Sequence, residues 1–215
     1  MLLKEIRQEV VEANAALPES GLVKWSSGNA SARDPQSGLI AIKPSGFRCD
    51  KLKPEDLVIT DLDGNIVDGS LKPSVDTQSH LYIYNHRDDV HGIVHTHSPF
   101  ATSFAVRGES LPIYTTTGAA YFGGTIPISD FAVIGEKEIG KEVVAKIGNN
   151  LAILMRNHGI FTIGETVSKA LVTAVYLEEE AECAHYANLR GKVAPLSAET
   201  VKASREWFLA SYGQK

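Results

Sequence analysis

Two histidines one residue apart are the side chains of this chain best suited to chemistry. His95 and His97 follow the β-branched pair Ile93-Val94, so the sequence predicts a strand from which both imidazoles project on one face. Neutral imidazole is a common ligand for zinc and related ions. The alternative is an exposed strand face that carries two histidines. Two ligands do not complete a metal site, so the rest of the chain must supply at least one more.

A third histidine stands at the end of another predicted strand. His158 lies in Arg156-Asn157-His158-Gly159, directly after the apolar run at 151–155. Three protein ligands with an open fourth position are typical of a catalytic metal centre. Zinc is the expected ion, although manganese or cobalt would satisfy the same three imidazoles.

A carboxylate and three small-residue turns accompany the histidines. Asp76 could shuttle a proton, and its alternative role is to favour a helix N-terminus electrostatically. The turns at 28–31, 45–46 and 74–76 could each hold an anion through backbone N–H groups. Each turn taken alone could equally be an ordinary polar turn.

A metal facing an anion pocket suits a phosphorylated carbonyl substrate. A divalent ion there polarises a carbonyl and lowers the cost of forming an enediolate, which predicts carbon–carbon bond cleavage without a Schiff-base lysine. The same atoms would also permit metal-assisted hydrolysis, with water in the open position.

The elements that must position these residues follow from hydrophobic periodicity and from turn residues. Helices are predicted over 2–17 (ended by Pro18), from an N-cap at Ser74 through Tyr84, and over 99–106, 136–148, 166–189 and 197–208. Strands are predicted over 38–42, 57–60, 66–67, 90–97, 125–128, 151–155 and 160–163, and a loop over 121–124 after the small residues 118–120. This pattern indicates one α/β domain over residues 1–215.

Composition excludes several classes of partner. The net charge is −5 and the basic residues are scattered, so we expect no nucleic-acid partner. No apolar run approaches 18 residues and the N-terminus lacks an apolar signal segment, so we expect neither a membrane span nor a secretory leader.

Some polar and thiol side chains have structural interpretations. Cys49 and Cys183 are far apart, which predicts free thiols and a cytoplasmic protein; Cys183 is expected to be buried and Cys49 exposed. The acidic run Glu178-Glu179-Glu180 predicts a solvated face or a subunit contact, with a carboxylate near the metal as the alternative. The remaining four histidines are interpreted as structural or surface residues: His80, His86, His91 and His185.

Six short motifs together resemble the class II aldolase/adducin family, and within it the L-ribulose-5-phosphate 4-epimerases and the L-fuculose-phosphate aldolases. In chain order they are Gly28-Asn29-Ala30-Ser31, Lys43-Pro44-Ser45-Gly46, Lys72-Pro73-Ser74-Val75-Asp76-Thr77, His95-Thr96-His97-Ser98, Asn157-His158-Gly159 and Tyr212-Gly213-Gln214. The match covers essentially the whole chain. As an ordered set the motifs are specific, although each alone would be weak.

The resemblance implies a three-layer α/β/α fold with a mostly antiparallel central sheet. It also implies a C4 homotetramer with active sites between adjacent subunits, acting on a phosphorylated ketose. His95, His97 and His158 take the zinc-ligand positions, Asp76 takes that of the metal-proximal acid, and Tyr212 is the C-terminal tyrosine delivered into a neighbour's site. The implied phosphate pocket comprises Gly28, Asn29, Ser45, Gly46, Ser74 and Val75, the last replacing a serine but keeping its backbone N–H.

The chain departs from the family pattern where the epimerases carry Thr-His-Ala-Asp-Tyr-Phe. Here the stretch reads Thr117-Gly118-Ala119-Ala120-Tyr121-Phe122, so the side chains at 118 and 120 cannot transfer protons. Motif similarity favours the epimerase branch, so we expect an L-ribulose-5-phosphate 4-epimerase-like enzyme; this loss favours the alternative, an L-fuculose-1-phosphate-type aldolase that releases dihydroxyacetone phosphate and an aldehyde. A non-catalytic, adducin-like binding module is the alternative of another class.

The aldolase branch has mismatches of its own. Asp76 is one methylene shorter than the usual aldolase glutamate. The tyrosine that those aldolases place ahead of the small-residue stretch falls at about Thr116, where Tyr114 or Tyr121 could replace it.

Overall fold

The computed structural model describes residues 1–213, so Gln214 of the C-terminal motif lies outside the described residues. Within that range the helices are α1 Lys4–Glu19, α2 Thr77–His86, α3 Pro99–Arg107, α4 Thr116–Phe122, α5 Glu138–Ile147, α6 Val167–Asn188 and α7 Ala198–Ser211. The strands are β1 Asn29–Arg33, β2 Ile40–Ile42, β3 Val58–Thr60, β4 Ile66–Asp68, β5 Gly92–Thr96, β6 Ala152–Met155 and β7 Gly159–Gly164. None of the described helices is both long and apolar enough to cross a bilayer.

The strands form one seven-stranded sheet in the order β4-β3-β2-β1-β5-β7-β6. Every neighbouring pair of named strands is antiparallel. In this register His95 on β5 stands between Asn29 on β1 and Phe161 on β7. The centre of the sheet therefore carries the first histidine.

Helices cover both faces of the sheet, which confirms the predicted three-layer α/β/α architecture. The larger core includes residues from α1, α3, α4, α6 and α7, and the smaller core includes α2 and α5. On β5, Val94 packs in the larger core and Ile93 in the smaller one. Because successive strand side chains alternate, His95 projects onto the α2/α5 face, where it stacks on Phe161 with ring centroids 4.5 Å apart.

Three predicted elements near the site are wrong in detail. The small residues 118–120 and the first half of the loop predicted over 121–124 lie in the helix α4, which begins where the Thr115 side chain accepts a hydrogen bond from the backbone N–H of Gly118 at 2.9 Å. The strand predicted over 125–128 makes only isolated bridges, through Ile126 and Ile128. Pro18 lies inside α1, in its last turn, where a proline removes one hydrogen bond without ending the helix at once.

The acidic run on α6 is not simply a solvated face. Glu180 is 2% exposed, and its carboxylate accepts hydrogen bonds from the backbone N–H groups of Tyr114 and Thr115. The predicted solvated face is found at the exposed Glu179 but is wrong for Glu180, because charge alone does not reveal that α6 crosses the start of α4.

The expected burial of the two cysteines is reversed. Cys49 is buried and Cys183 is exposed. Cys183 faces outward because Ala181 and Ala184 occupy the buried positions of α6. Cys49 packs in the larger core.

Candidate active site

The three histidines meet at one end of the sheet. Their ligand nitrogens all lie within 4.8 Å of one another. The ring centroid of His95 is 4.8 Å from that of His97 and 4.9 Å from that of His158. His95 is buried, His158 half-buried and His97 exposed, so the cluster is closed on the protein side and open toward solvent.

The β6–β7 hairpin delivers His158 to the cluster. Asn157 adopts a left-handed conformation with φ of 58°, and the turn is closed by the hydrogen bond from His158 N to Met155 O at 2.9 Å. A Cβ at Gly159 would stand 2.3 Å from Thr96 O and 2.7 Å from His97 Cδ2. Glycine at 159 therefore lets the hairpin approach the end of β5 closely enough for the imidazoles to converge.

The donor set fits a divalent cation. The Nδ1 of His95 bonds to Ile160 O at 2.8 Å, which fixes the tautomer and leaves Nε2 as the ligand atom. Burial lowers the pKa of His95 to about 3, so the ring is in its neutral, metal-binding form at pH 7. The buried Nδ1 of His158 has no hydrogen-bond partner among residues 1–213.

Asp76 lies beside the histidines and is held by neighbouring side chains. It occupies the N-cap position of α2, where Ser74 was predicted, but its carboxylate makes no capping bond. Instead it accepts a hydrogen bond from Asn29 Nδ2 at 2.7 Å. Burial alone would raise the pKa of Asp76, but the nearby His95 and His80 and this hydrogen bond hold it below its usual value, so the carboxylate is ionised.

His80 is closer to the site than the sequence predicted. It is fully buried, as one of the two interpretations, a structural residue, implies, and its Nδ1 lies 2.7 Å from Ser31 Oγ. It also interacts electrostatically with Asp76, and burial lowers the pKa of His80 to about 4. It therefore stands as a neutral ring behind the carboxylate.

The three predicted anion-binding turns converge next to Asp76. Ser45 N donates to Lys72 O at 2.9 Å and Ser74 N donates to Lys43 O at 3.0 Å, so two of the turns are bonded to each other. Asn29 Nδ2 reaches Ser74 Oγ at 3.2 Å and joins the third. We call this group of turns, residues 26–29, 43–46 and 72–76, the three-loop cradle.

The cradle differs from a simple nest of backbone N–H groups. The N–H groups of Ser45 and Ser74 already hold the turns together, which leaves the hydroxyls as the donors that these residues offer to an anion. Val75 is 53% exposed, so it lies on the rim of the three-loop cradle. Gly46 adopts a φ of 75°, a conformation that favours glycine.

Gly28 has a packing role that the sequence did not reveal. Its φ is 72°, and a Cβ there would stand 2.5 Å from Val23 Cγ1 and 2.8 Å from His95 O. Glycine at this position lets the first turn of the cradle lie directly against the strand that carries the histidines.

Lys43 is a candidate functional residue that sequence reasoning missed. It is 2% exposed, and its Nζ donates to Ser26 O at 3.1 Å across the cradle. Burial lowers the pKa of Lys43, while the nearby Cys49 and Asp76 raise it. A buried cation beneath the turns favours an anionic ligand, and its place in the Lys43-Pro44-Ser45-Gly46 motif was the available signal.

Tyr212 lies in a different part of the molecule. Its ring stacks on Phe208 with centroids 4.6 Å apart, at the edge of a groove of about 790 Å³ between α4, α6 and α7. Ala120 and Tyr121 line the same groove. These helices belong to the larger core, whereas His95 projects onto the opposite face of the sheet. Tyr212 therefore lies in the same groove as Ala120. Both residues lie apart from the histidine cluster.

Position 118 has no room for a side chain. A Cβ on Gly118 would stand 2.2 Å from Glu180 Oε2 and 2.5 Å from Glu180 Cδ. The same Glu180 carboxylate accepts a hydrogen bond from Thr115 Oγ1, so it is held in this position. Glycine at position 118 therefore leaves free the space that the Glu180 carboxylate occupies.

An α/β/α sandwich with three converging histidines beside the three-loop cradle defines a class of candidate metal-dependent enzymes, and comparison with known proteins gives the family. Residues 8–185 match the family described as the class II aldolase and adducin N-terminal domain. The chain belongs to this family.

Solved structures give the same result over nearly the whole chain. An L-fuculose 1-phosphate aldolase is similar with 30% sequence identity and a TM-score of 0.91, over 97% of this chain and 98% of that one. The L-fuculose-1-phosphate aldolase of Thermus thermophilus shares 26% identity with a TM-score of 0.77, over 89% and 98% of the two chains.

A third relative has a less defined activity. YgbL of Klebsiella pneumoniae, for which aldolase, epimerase and decarboxylase activities have all been suggested, shares 25% identity with a TM-score of 0.84, over 95% of this chain and all of that one. The family and these neighbours support aldolase-type chemistry of a lyase in carbohydrate metabolism.

Proposed function

We propose that residues 1–215 form a single-domain, cytoplasmic class II aldolase that cleaves a phosphorylated ketose of the L-fuculose 1-phosphate type into dihydroxyacetone phosphate and an aldehyde. His95, His97 and His158 would hold a divalent ion, with zinc preferred. That ion would supply Lewis-acid polarisation of the substrate's carbonyl and hydroxyl oxygens. The convergence of the three histidines beside the three-loop cradle is the observation that carries this proposal.

The chain's own residues divide the remaining work between them. The hydroxyls of Ser45 and Ser74 and the buried Lys43 bind and orient the phosphate, and the side chain of Asn29 holds Ser74 and Asp76 in place beside it. Asp76 is fixed by the bond from Asn29 at 2.7 Å and is ionised, so it can accept a proton beside the cluster and return it to carbon after the bond breaks. Because the cradle holds the phosphate group at one end of the substrate, it also fixes which substrate carbon lies next to Asp76.

Tyr212 completes the site from a neighbouring subunit in this proposal. Its groove lies in the helical layer on the opposite face of the sheet from His95, so within one chain the two groups serve different surfaces. A closed ring of identical subunits brings such surfaces together through a repeated head-to-tail contact. The implied C4 homotetramer supplies this contact, and Tyr212 of the neighbour would hydrogen-bond the substrate hydroxyl that loses its proton and becomes the aldehyde oxygen when the carbon–carbon bond breaks.

Position 118 favours an aldolase over an epimerase. Epimerisation at C4 needs proton-transferring groups on both faces of the released aldehyde, and such groups are typically worth about 10²–10⁴ in rate. Glu180 occupies the space that any side chain at Gly118 would need, and Ala120 has no polar atom. Cleavage with release of the aldehyde needs only one such group.

The second candidate is an L-ribulose-5-phosphate 4-epimerase. It is favoured by aspartate rather than glutamate at position 76 and by the retained Thr117, Tyr121 and Phe122 around the altered stretch. In this case Tyr121 or Tyr114 would have to replace the acid absent from position 120.

The test is a product assay with zinc-loaded protein. L-fuculose 1-phosphate should yield dihydroxyacetone phosphate, which a coupled dehydrogenase assay detects, and His95→Ala should remove the activity. L-ribulose 5-phosphate is supplied in parallel, and formation of xylulose 5-phosphate would instead assign the epimerase. If neither product exceeds the His95→Ala background, both substrates are wrong.

The same preparation separates the remaining alternatives. Metal-dependent release of inorganic phosphate, without aldol products, would assign hydrolysis. Failure to bind any divalent ion on titration would assign a non-catalytic binding module.

A further inference from the structure

The acidic run on α6 contains a carboxylate that holds the start of another helix. Glu178 Oε1 accepts a hydrogen bond from Phe100 N at 2.8 Å, and Glu178 Oε2 accepts one from Ala101 N at 2.9 Å. Both N–H groups belong to the first turn of α3. The two residues are 78 and 77 positions away from Glu178 in the chain, so this is a tertiary contact and not a local cap.

The first turn of α3 depends on Glu178 because its own N-cap residue, Ser98, accepts no hydrogen bond from the N–H groups of that turn. The Ser98 side chain makes no capping bond, and Pro99 occupies the first helical position. Ser98 Oγ instead accepts a hydrogen bond from Thr96 Oγ1 at 3.2 Å. The N–H groups of a first helical turn have no partner within the helix, and a carboxylate there also interacts favourably with the helix dipole.

His97 stands between the two segments that this arrangement fixes. Its preceding residue, Thr96, is the last residue of β5 and pairs with Ile160 on β7. Its following residue, Ser98, leads directly into the turn held by Glu178. His97 is exposed, so its position depends more on its backbone than on side-chain packing.

We propose that Glu178 is a positioning residue for the metal ligand His97, acting through the first turn of α3; this rests on the metal site of the proposed function. Both oxygens of Glu178 are engaged by backbone N–H groups, so its carboxylate is not a direct ligand. Glu178 sets where the His97 imidazole stands relative to His95 and His158.

The test measures zinc affinity of the full-length apoprotein by competition with a chromogenic chelator. Glu178→Gln keeps the shape of the side chain but removes its charge and turns an NH₂ group toward one of the two N–H donors. Loss of a group that hydrogen-bonds a metal ligand directly typically weakens metal binding by roughly 10–100-fold; because Glu178 acts on His97 through the backbone, we expect a loss at the lower end of that range, about tenfold. Hydrogen exchange of the Phe100 and Ala101 amides should accelerate in the same variant.

Two control variants separate positioning from general destabilisation. Glu182→Gln removes a charge from the same helix one turn later. Ser197→Ala removes the N-cap of α7, in which the Ser197 side chain accepts a hydrogen bond from Thr200 N at 3.1 Å. This cap lies far from the histidines. Both should bind zinc within about twofold of the unsubstituted protein, a difference of only about 0.4 kcal/mol, even where Ser197→Ala lowers the melting temperature.

Zinc affinity of Glu178→Gln equal to that of Ser197→Ala, at a similar loss of thermal stability, would overturn the proposal. If Glu178→Gln does not fold, Glu178→Asp keeps the carboxylate one methylene further from α3, and zinc binding by that folded variant at full affinity would also overturn it. If the unsubstituted protein binds no zinc, the metal site of the proposed function fails first, and this role fails with it.

Discussion

The histidine cluster and the α4–α7 groove lie on opposite faces of one sheet, and they differ in how much of their chemistry comes from a single chain. His95 has its tautomer fixed by Ile160 O at 2.8 Å, and Asp76 is fixed by Asn29 at 2.7 Å. Tyr212, in contrast, is 61% exposed at the edge of its groove. The cluster is arranged within the subunit, whereas the groove presents its polar group outward.

This difference indicates which half of the site tolerates change. His95 and Asp76 are each held by a buried hydrogen bond, the first to Ile160 O and the second from Asn29, so losing either side chain leaves a buried partner unsatisfied. Side chains in the groove are rings that stack on one another, such as Tyr121 on Tyr176 with centroids 3.8 Å apart. We expect substitutions of the histidines in the cluster to abolish metal binding and activity together, and substitutions of the groove's rings other than Tyr212 to alter activity without abolishing it.

The largest expected effect is the removal of a cluster ligand. His95→Ala should weaken zinc binding by more than the roughly 10–100-fold that an outer partner is worth, and aldol activity should fall to background. Equilibrium dialysis with metal analysis measures the first effect. His86→Ala removes an exposed histidine on α2 and serves as the control; equal zinc binding by both variants would show that the cluster is not the metal site.

The next effect separates proton transfer from metal binding. Asp76→Asn keeps the size of the side chain, so zinc affinity should stay close to that of the unsubstituted protein. The value of kcat should fall by about 10²–10⁴ because the carboxylate can no longer carry a proton. Asp63→Asn, in the exposed β3–β4 turn, should leave kcat unchanged, and an equal fall in both variants would remove Asp76 from the mechanism.

The smallest effect lies on the groove side and concerns stability. Gly118→Ala would raise the helix propensity of α4, but its Cβ would meet the Glu180 carboxylate at 2.2 Å. Overpacking of this kind typically costs about 1–3 kcal/mol, which corresponds to a lower melting temperature by roughly 2–4 °C per kcal/mol for a chain of this size.

Gly124→Ala is the matched control for the groove, because its Cβ would meet no atom within 4 Å. Thermal unfolding of the two variants should therefore differ. A melting temperature for Gly118→Ala at or above that of the unsubstituted protein would mean that Glu180 does not exclude side chains from position 118.

Much of the fold could be predicted from the sequence because its signals are local. Periodicity predicted β5, β6, β7 and α6, and residues at strand ends predicted that His95, His97 and His158 would meet. The errors arose where a distant segment decides the outcome. Residues 118–120 were predicted as a small-residue connection and 121–124 as a loop, but residues 116–122 form α4 because α6 packs against them and Glu180 anchors their start.

The site shows the same division between local and distant signals. Asn29, Ser74 and Asp76 were predicted from short motifs, and they are joined by hydrogen bonds in the structure. Lys43 and Glu178 were missed because a lysine and a glutamate are usually surface residues. Lys43 becomes a candidate for anion binding only because the cradle packs around it. Glu178 becomes a candidate positioning residue only because α3 packs against it.

The measurement that tests the central claim most directly is complementation between subunits. In the proposed assembly, the histidine cluster of one subunit works with Tyr212 of a neighbour. His95→Ala and Tyr212→Phe should each be nearly inactive alone. When the two variants are coexpressed in equal amounts, random assembly of a cyclic oligomer places intact halves together at about one quarter of the sites.

Activity of the mixed oligomers near one quarter of that of the unsubstituted protein is the predicted result. Activity no higher than the sum of the two variants measured separately, in oligomers shown by mass spectrometry to contain both chains, would contradict the account and return both halves of the site to a single subunit.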